Sequence, residues 1–119
     1  MAKILVVEDE PDIAETLQAM LSARRHKVAV CLDSRECMKM AKGIDLILLD
    51  LMMPLMSGED VLKELRAKKI KTPVILMSAV GSMSEKEHSL REKYLGVGFV
   101  CKSDFAEKID AAIKKALKK

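Results

Sequence analysis

The sequence predicts an α/β fold, in which five parallel strands form a doubly wound sheet with helices on both faces. Unbroken apolar runs over 4–7, 46–49 and 74–77 are typical of strands that are buried on both faces. Segments with apolar residues at helical spacing alternate with these runs. The length of 119 residues suits one domain, residues 1–119, with a hydrophobic core of its own.

The first strand and helix are the most regular part of the sequence. The apolar run 4–7 ends at Glu8-Asp9-Glu10, and Pro11 follows as a favoured first residue of a helix. Apolar residues then recur at i, i+4, i+7 and i+8, which places them on one helical face. These residues are Ile13, Leu17, Met20 and Leu21.

The second and third units repeat this alternation. A strand over 28–32 precedes a short helix, and Ser34 is the expected N-cap of that helix. A third strand over 44–49 ends at Asp50. After a loop, a third helix directs three apolar residues inward, namely Val61, Leu62 and Leu65.

The last two units complete the predicted sheet. Pro73 opens the fourth strand, a position that proline tolerates, and this strand ends at Ser78. We expect helix 4 over 83–95, strand 5 over 97–101 and helix 5 over 104–117.

The polar residues at the strand ends indicate where a ligand would bind. Repeated β–α units with right-handed crossovers favour the strand order 2-1-3-4-5, and ligands bind where that order reverses, between strands 1 and 3. Those two strands end in Glu8-Asp9 and Asp50. Strands 4 and 5 end in Ser78 and Lys102. The topology and the polar residues therefore indicate the same crevice.

Composition argues against several classes of partner. The net charge of +3 is too mild to indicate nucleic acid binding, and aromatic residues for base stacking are scarce. No apolar stretch has the length of a membrane span, and no signal peptide precedes the first strand. We therefore expect a cytoplasmic protein that binds neither membranes nor nucleic acid directly. Cys31, Cys37 and Cys101 lack CxxC spacing and are interpreted as reduced core thiols.

The three predicted crevice carboxylates favour a divalent cation. Glu8, Asp9 and Asp50 would repel one another strongly in a partly dry crevice, and a cation removes that repulsion. Oxygen ligands without nearby His or Cys favour Mg²⁺ over zinc. The alternative is that Glu8-Asp9-Glu10 only places negative charge at the start of the next helix.

Asp50 is the candidate nucleophile. A carboxylate at a strand end can attack phosphorus and form an acyl phosphate. Phosphoryl transfer then needs mainly positioning and charge neutralisation, which Lys102 and Ser78 can supply. Each of these two residues also has a structural alternative: an ion pair with Asp50 for Lys102, and strand termination for Ser78.

These residues resemble the receiver domain of two-component response regulators, a family with a flavodoxin-like (α/β)5 fold. The resemblance extends from Lys3 to the final helix. The motifs that carry it are Glu8-Asp9, Asp50-Leu51-Met52-Met53-Pro54, Ser57-Gly58, Ser78-Ala79 and Lys102.

The resemblance implies a phosphoacceptor and a metal site. Asp50 would accept the phosphoryl group from a sensor histidine kinase or a phosphotransfer protein. Asp9, Asp50 and the backbone carbonyl of Met52 would bind Mg²⁺, and Glu8 would act on the ion through water.

The resemblance also implies a switch. Ser78 and Lys102 would contact the phosphoryl group, and Phe99 matches the switch aromatic of the family. Phosphorylation would then change the face formed by helix 4, strand 5 and helix 5, where a downstream protein partner would bind. Plain core packing is the structural alternative for Phe99.

The sequence departs from the family at three positions. Receivers usually carry a cis proline after the active lysine, whereas Ser103 follows Lys102 here. Because a cis bond before a non-proline residue costs about 2.5–4 kcal/mol, we expect the Lys102–Ser103 bond to be trans. Met52 and Val80, two residues after Asp50 and Ser78, are apolar and cannot orient an attacking water. We therefore expect slow loss of the phosphoryl group.

Two other classes of function are alternatives to the expected switch with slow self-hydrolysis, which would not be an enzyme. An aspartyl-phosphate phosphohydrolase resembling the haloacid dehalogenase family needs a second Asp two residues after the nucleophile, and position 52 is Met. A flavodoxin-like nucleotide- or flavin-binding module needs a glycine-rich loop after Val7 or an aromatic pair, and the sequence has neither. These residues leave open whether the chain acts alone or belongs to a longer protein.

Overall fold

Five strands and the helices between them follow the predicted alternation. A computed structural model describes residues 2–78, 89–90, 92–94 and 96–118. The strands are β1 (Lys3–Val7), β2 (Lys27–Cys31), β3 (Leu46–Asp50), β4 (Val74–Ser78) and β5 (Val97–Cys101). The helices are α1 (Pro11–Ala23), α2 (Cys37–Met40), α3 (Gly58–Ala67) and a C-terminal helix (Phe105–Leu117), with single 3₁₀ turns at Ser34–Glu36 and Lys102–Asp104.

The strands form one parallel sheet in the order β2-β1-β3-β4-β5. This is the predicted order, and its reversal lies between β1 and β3. The C-terminal helix is the predicted helix 5. The predicted helix 4 over 83–95 lies largely outside the described residues, of which 89–90 and 92–93 are helical.

Several predicted boundaries were wrong by one or two residues. The strand β2 covers Lys27–Cys31 rather than 28–32, β4 begins at Val74 rather than at Pro73, and the C-terminal helix begins at Phe105 rather than at residue 104. The third strand begins at Leu46 rather than at residue 44, because the Ile44 N–H is used in a turn and donates to the Ala41 carbonyl. The N-cap of the second helical segment is Asp33 rather than Ser34. The Asp33 carboxylate accepts a hydrogen bond from the Arg35 backbone N–H, which a cap one residue later could not do.

Alternation along the strands divides the core into two layers. On one face of the sheet, Leu5, Ile47 and Leu76 belong to a cluster that includes Leu62 and Leu65 of α3. On the other face, strand residues pack with α1 and the C-terminal helix. That second cluster includes Ile4, Val6, Leu46, Leu48, Ile75, Leu17, Leu21, Ile109 and Ile113. Because β3 is buried along its whole length, the carboxylate at its end is placed by a rigid element.

Helices α1 and α3 end in the same way, without glycine. Arg25 and Lys69 have φ of 68° and 62°, and each directly follows the C-cap residue of its helix, Arg24 or Lys68. The His26 N–H donates to the Leu21 carbonyl, and the Ile70 N–H donates to the Leu65 carbonyl. This bonding pattern is the Schellman motif. Within the described residues, each helix falls short of the length and apolarity that crossing a membrane demands.

Candidate functional site

The register of the sheet brings the polar strand ends to one edge. Val7 pairs with Leu49, so Glu8 follows at the level of Asp50. Asp50 pairs with Met77, which places Ser78 one residue further along the neighbouring strand. Ser78 pairs with Cys101, so Lys102 begins the segment just past that edge. The sequence predicted this edge, and the pairing of strands shows how it is assembled.

Three carboxylates converge at the end of β1 and β3. Glu8, Asp9 and Asp50 each offer an oxygen, and these oxygens all lie within 4.8 Å of one another. Glu8 and Asp50 are buried, whereas Asp9 is half-buried. Glu8 is held by its backbone N–H, which donates to the Cys31 carbonyl at 3.0 Å. The arrangement is an acidic pocket with one open side.

Lys102 reaches into the same pocket. Its Nζ lies 2.7 Å from Glu8 Oε1 and 3.1 Å from Asp50 Oδ2. The ion pair with Asp50 was the structural alternative for this lysine, and it is present. The shorter pair with Glu8 was not foreseen. A single ammonium therefore bridges the two buried carboxylates.

The charges in the pocket do not balance. Desolvation by burial is the largest cause that raises the pKa of Glu8 to about 7, with Asp50 nearby as a further cause. Burial alone would lower the pKa of Lys102, but its hydrogen bonds to Glu8 and Asp50 outweigh that effect and raise it. Lys102 is therefore the stable cation of the group, and Glu8 is a carboxyl whose pKa of about 7 lets it lose its proton only near neutral pH. With all three carboxylates ionised, one ammonium leaves two negative charges.

This donor set fits Mg²⁺. Hard divalent cations prefer carboxylate and carbonyl oxygens, and the three side chains offer only oxygen. A double positive charge would neutralise the excess charge of the pocket and remove the reason for Glu8 to hold its proton. The chemistry of the residues present therefore matches the ion that the sequence indicated.

The loop after Asp50 is fixed at both ends. The Met52 N–H donates to Asp50 Oδ1 at 3.2 Å, and the Gly58 N–H donates to the Leu51 carbonyl at 3.0 Å. At its far end, Ser57 and Asp60 form a capping box at the start of α3. The phosphoacceptor candidate at the end of β3 is therefore followed by a loop with little freedom to shift.

Gly58 holds this loop close to α3. A Cβ at this position would lie 2.5 Å from the Asp50 carbonyl oxygen and 2.8 Å from the Leu51 Cα. No side chain fits there, because the nearest atoms belong to the backbone. The sequence pattern Ser57-Gly58 carried this signal, but its cause is a tertiary contact that sequence spacing does not show.

The side chains of Ser78 and Phe99 lie on the face of the sheet that packs against α3. Along β4 and β5, side chains alternate, and Leu76 and Phe99 belong to the layer that contains α3. Ser78 is two residues after Leu76, so its side chain lies on the same side of the sheet as that of Leu76. Phe99 pairs with Leu76 across β4 and β5, which agrees with its place in this layer. Ala79 of the Ser78-Ala79 motif and the apolar Val80 lie outside the described residues.

The apolar side chains of the loop after Asp50 differ in exposure. Met52 is 74% exposed and Leu55 is 77% exposed. Met53 and Met56 instead pack partly against the core. Among the described residues every peptide bond is trans, so the expectation for Lys102–Ser103 is confirmed.

Fold and site together define a class of protein, a flavodoxin-like α/β domain with an acidic pocket at the carboxyl edge of its sheet. The sequence profile of the response regulator receiver domain matches residues 4–114. The chain belongs to the response regulator receiver domain family.

Relatives and solved structures agree with this assignment. The transcriptional regulatory protein DltR of Streptococcus agalactiae serotype III (strain NEM316) is 38% identical over 90 residues, which are 74% of this chain and 40% of DltR. Chemotaxis protein CheY4 of Vibrio cholerae has a TM-score of 0.85 and 26% identity, over 98% of this chain and 99% of CheY4. Response regulator TrrA of Thermotoga maritima, solved with Mg²⁺ and BeF, has a TM-score of 0.82 and 30% identity, over 98% and 100% of the two chains. The chain thus spans about two fifths of the curated relatives that it matches.

Proposed function

We propose that this receiver domain is a phosphoryl-accepting switch in which Asp50 is the phosphoacceptor. The observation that carries the proposal is the position of Asp50: buried, at the end of β3, with Lys102 Nζ at 3.1 Å and two further carboxylates within 4.8 Å. A carboxylate accepts a phosphoryl group where nearby positive charge neutralises the phosphoryl oxygens. Lys102 supplies one such charge, and a metal ion held by the carboxylates would supply the other.

Asp50 forms the new bond in the proposed reaction. An Asp50 carboxylate oxygen attacks phosphorus, an oxygen–phosphorus bond forms, and the bond between phosphorus and the leaving group breaks. With a phosphohistidine donor the leaving group is the imidazole, and with acetyl phosphate it is acetate. Lys102 compensates negative charge on the phosphoryl oxygens, and its bond to Glu8 holds its ammonium at that side of the pocket.

We assign Mg²⁺ to Asp9, Asp50 and the backbone carbonyl of Met52, with Glu8 acting through water. When bound, the ion supplies charge neutralisation for the phosphoryl oxygens. The fixed loop over 51–57 keeps the Met52 backbone beside Asp50, because the Met52 N–H already bonds the Asp50 carboxylate. The structure of TrrA with Mg²⁺ and BeF supports the same assignment by analogy.

Ser78 and Phe99 would transmit the signal. Both lie toward the layer on the far side of the sheet, so a movement of Ser78 toward the phosphoryl group opens space next to Phe99. The face next to Phe99 would then change. A cavity of about 560 Å³ between β5 and the C-terminal helix, lined by Gly98, Phe99 and Ala112, supports a downstream protein partner at this face.

The phosphodonor is proposed to be a sensor histidine kinase or a phosphotransfer protein. A second cavity, of about 450 Å³, lies beside Lys102 and is lined by Ile13 and Met20 of α1. A protein seated there would stand next to Asp50. We place this exchange in the cytoplasm, since Cys31 and Cys37 are free and buried, as is usual in a reducing compartment.

We further propose that the domain is a switch and not a catalyst that turns over. Met52 is 74% exposed at the position where a phosphohydrolase would carry its general acid. A thioether cannot donate a proton to a leaving group or activate water. Once formed, the acyl phosphate would therefore hydrolyse slowly.

Intact mass spectrometry tests the proposal. The protein is incubated with acetyl phosphate and Mg²⁺, beside Asp50→Asn and beside a sample with EDTA. We expect the mass of one phosphoryl group on the parent chain alone, and only with Mg²⁺. An unmodified parent chain, or an equal gain on Asp50→Asn, would contradict the assignment of Asp50.

A further inference from the structure

A basic cavity lies at the end of the sheet opposite to Asp50. It occupies about 390 Å³ beside the segments that lead into β4 and β5. A strand of five residues spans roughly 16 Å, so this cavity and the acidic pocket lie a full strand length apart. The residues that line it are Arg66, Lys69, Lys71, Lys93, Tyr94 and Gly96.

Three of the cations in this cavity are lysines that pair with no acid in the part of the chain that the structure describes. Lys69, Lys71 and Lys93 are exposed, and within the described residues they form no ion pair. The adjacent Lys68 does form an ion pair, since its Nζ lies 3.1 Å from Glu64 Oε1. Glu92 is the neighbouring acid in sequence, and it has a contact of its own. Among the described residues, the positive charges of these three lysines are therefore not offset by an ion pair.

Arg66 supplies a fixed cation in the wall. Its Nη1 donates to the Ile70 carbonyl at 2.7 Å, which orients the half-buried guanidinium. Burial lowers the pKa of Arg66, yet a guanidinium remains charged at neutral pH. A charge held in place loses little conformational entropy when it binds an anion, in contrast to a free surface lysine.

Tyr94 and Gly96 give the cavity its shape. The Tyr94 side chain packs partly against the core, so its ring is a supported surface beside the lysines. Gly96 has φ of 71°, a conformation that favours glycine, and a Cβ there would lie 3.5 Å from Arg66 Nη2. The absence of a side chain keeps the approach to the guanidinium open.

Helix electrostatics explain only part of this cluster. Cations are favourable at the C-terminal end of a helix, and Lys69 lies just past the end of α3. Lys71 lies in the extended segment before β4, outside any helix. The helix dipole therefore does not account for its place beside Arg66 and Lys93.

We propose that this cavity binds a small phosphorylated anion, with a diphosphate or triphosphate group held by Lys69, Lys71, Lys93 and the Arg66 guanidinium. Ammonium groups bind phosphate as point charges, and the Arg66 guanidinium adds a positive charge that its bond to Ile70 holds at the wall of the cavity. The cavity volume is within the range of small-ligand sites, about 300–1,000 Å³. The Tyr94 ring offers an apolar surface to whatever group carries the phosphates.

Isothermal titration calorimetry with inorganic pyrophosphate, with inorganic tripolyphosphate and with ATP, each in the absence of Mg²⁺ and at constant ionic strength, tests this site. We expect saturable binding with one site per chain. The variant Lys69→Gln/Lys71→Gln/Lys93→Gln should bind at least about tenfold more weakly, since each lost charge contact weakens binding several-fold. Tighter binding of ATP than of inorganic tripolyphosphate, which carries the same number of phosphates, would assign a contact to the Tyr94 side, and equal binding of these two would limit the site to the phosphates.

A matched control separates a site from general charge attraction. Lys42, Lys108 and Lys114 are equally exposed and lie outside this cavity, so their triple Gln variant has the same net charge. This control should bind all three anions like the parent chain. Equal loss in the two triple variants, no saturation with any of these anions, or binding of duplex DNA alone would overturn the proposal. Circular dichroism confirms that each variant is folded.

Discussion

Lys102 Nζ lies 2.7 Å from Glu8 Oε1, although 94 residues separate the two side chains in the sequence. The Glu8 side chain is almost fully buried, and that of Lys102 is only 20% exposed. A buried carboxylate next to an ammonium and a second carboxylate is costly to leave unpaired. This pair therefore links the beginning of the chain to the end of β5 and sets the charge state of the pocket.

Lys102→Gln should separate metal binding from phosphoryl capture. The amide cannot compensate charge on phosphoryl oxygens, so we expect phosphorylation by acetyl phosphate to slow by roughly 10²-fold. Mg²⁺ affinity should stay equal or rise, because one positive charge has left the pocket. Intact mass against time and Mg²⁺ titration measure the two effects. Lys108→Gln, on the exposed face of the C-terminal helix, serves as the control. Slower phosphorylation of Lys108→Gln, or an unchanged phosphorylation rate in Lys102→Gln, would contradict the role of Lys102.

Stability of the metal-free protein should fall as pH rises through the pKa of Glu8. The folded state raises this pKa from 4.5 to about 7, mainly by burial, so the folded protein binds the proton more tightly than the unfolded chain does. The resulting stabilisation is complete below pH 4.5 and is lost as pH rises toward 7. Urea unfolding should show a decrease on the order of 1–3 kcal/mol across this window.

Two controls check that Glu8 is the cause of this pH dependence. Glu8→Gln should flatten the curve, and added Mg²⁺ should restore stability at the upper end, because the cation replaces the proton. Asp33 does not interfere, since Arg35 lowers its pKa to about 2, below the measured range. A stability that rises from pH 4.5 to 7 in EDTA would refute the assignment.

Gly58→Ala should distort the Asp50 loop. The new Cβ would lie 2.5 Å from the Asp50 carbonyl oxygen, a distance that forces the backbone apart. We expect a loss of about 1–3 kcal/mol in the free energy of unfolding, together with weaker Mg²⁺ binding. Gly98→Ala is the matched control, because its Cβ would make an ordinary 3.6 Å contact with Ile75. If the two variants were equally stable, the close approach would not be a constraint.

Met52→Asn should shorten the lifetime of the phosphorylated protein. An amide at this position can orient a water for attack on phosphorus, whereas the thioether cannot. The decay of the phosphorylated species, followed by intact mass after removal of acetyl phosphate, measures the change. Met52→Leu should decay like the parent chain. An unchanged lifetime in Met52→Asn would argue against apolar shielding as the cause of slow hydrolysis.

The sequence predicted the fold and the edge of the sheet because both depend on local patterns. Buried parallel strands leave unbroken apolar runs, and the residue at which each run stops is visible, so Asp50 and Lys102 could be placed at one edge. The choice of Glu8 as the nearer partner of Lys102 could not be predicted, since it depends on side-chain reach across two strands. The exact start of β3 was also missed, because Ile44 is apolar but lies in a turn.

The ends of two helices and one N-cap could not be predicted, because residue type alone does not mark them in the sequence. Arg25 and Lys69 adopt the left-handed conformation in which glycine is the common signal, so neither helix end was marked by residue type. The bond between Asp33 and Arg35 determines the cap, and Ser34 is an equally good capping residue by type alone. In each case a tertiary or local hydrogen bond decides between residues that the sequence presents as equivalent.

The acidic pocket and the lysine-rich cavity lie at opposite ends of the same five strands. Such a separation contributes a component along the strand direction to the dipole moment of the molecule. In the field of an approaching charged protein the domain would rotate before the two surfaces touch. A positively charged partner would thus contact the Asp50 end first, and a negatively charged partner would contact the Lys71 end. The direction of the strands therefore determines which end of the domain each partner approaches.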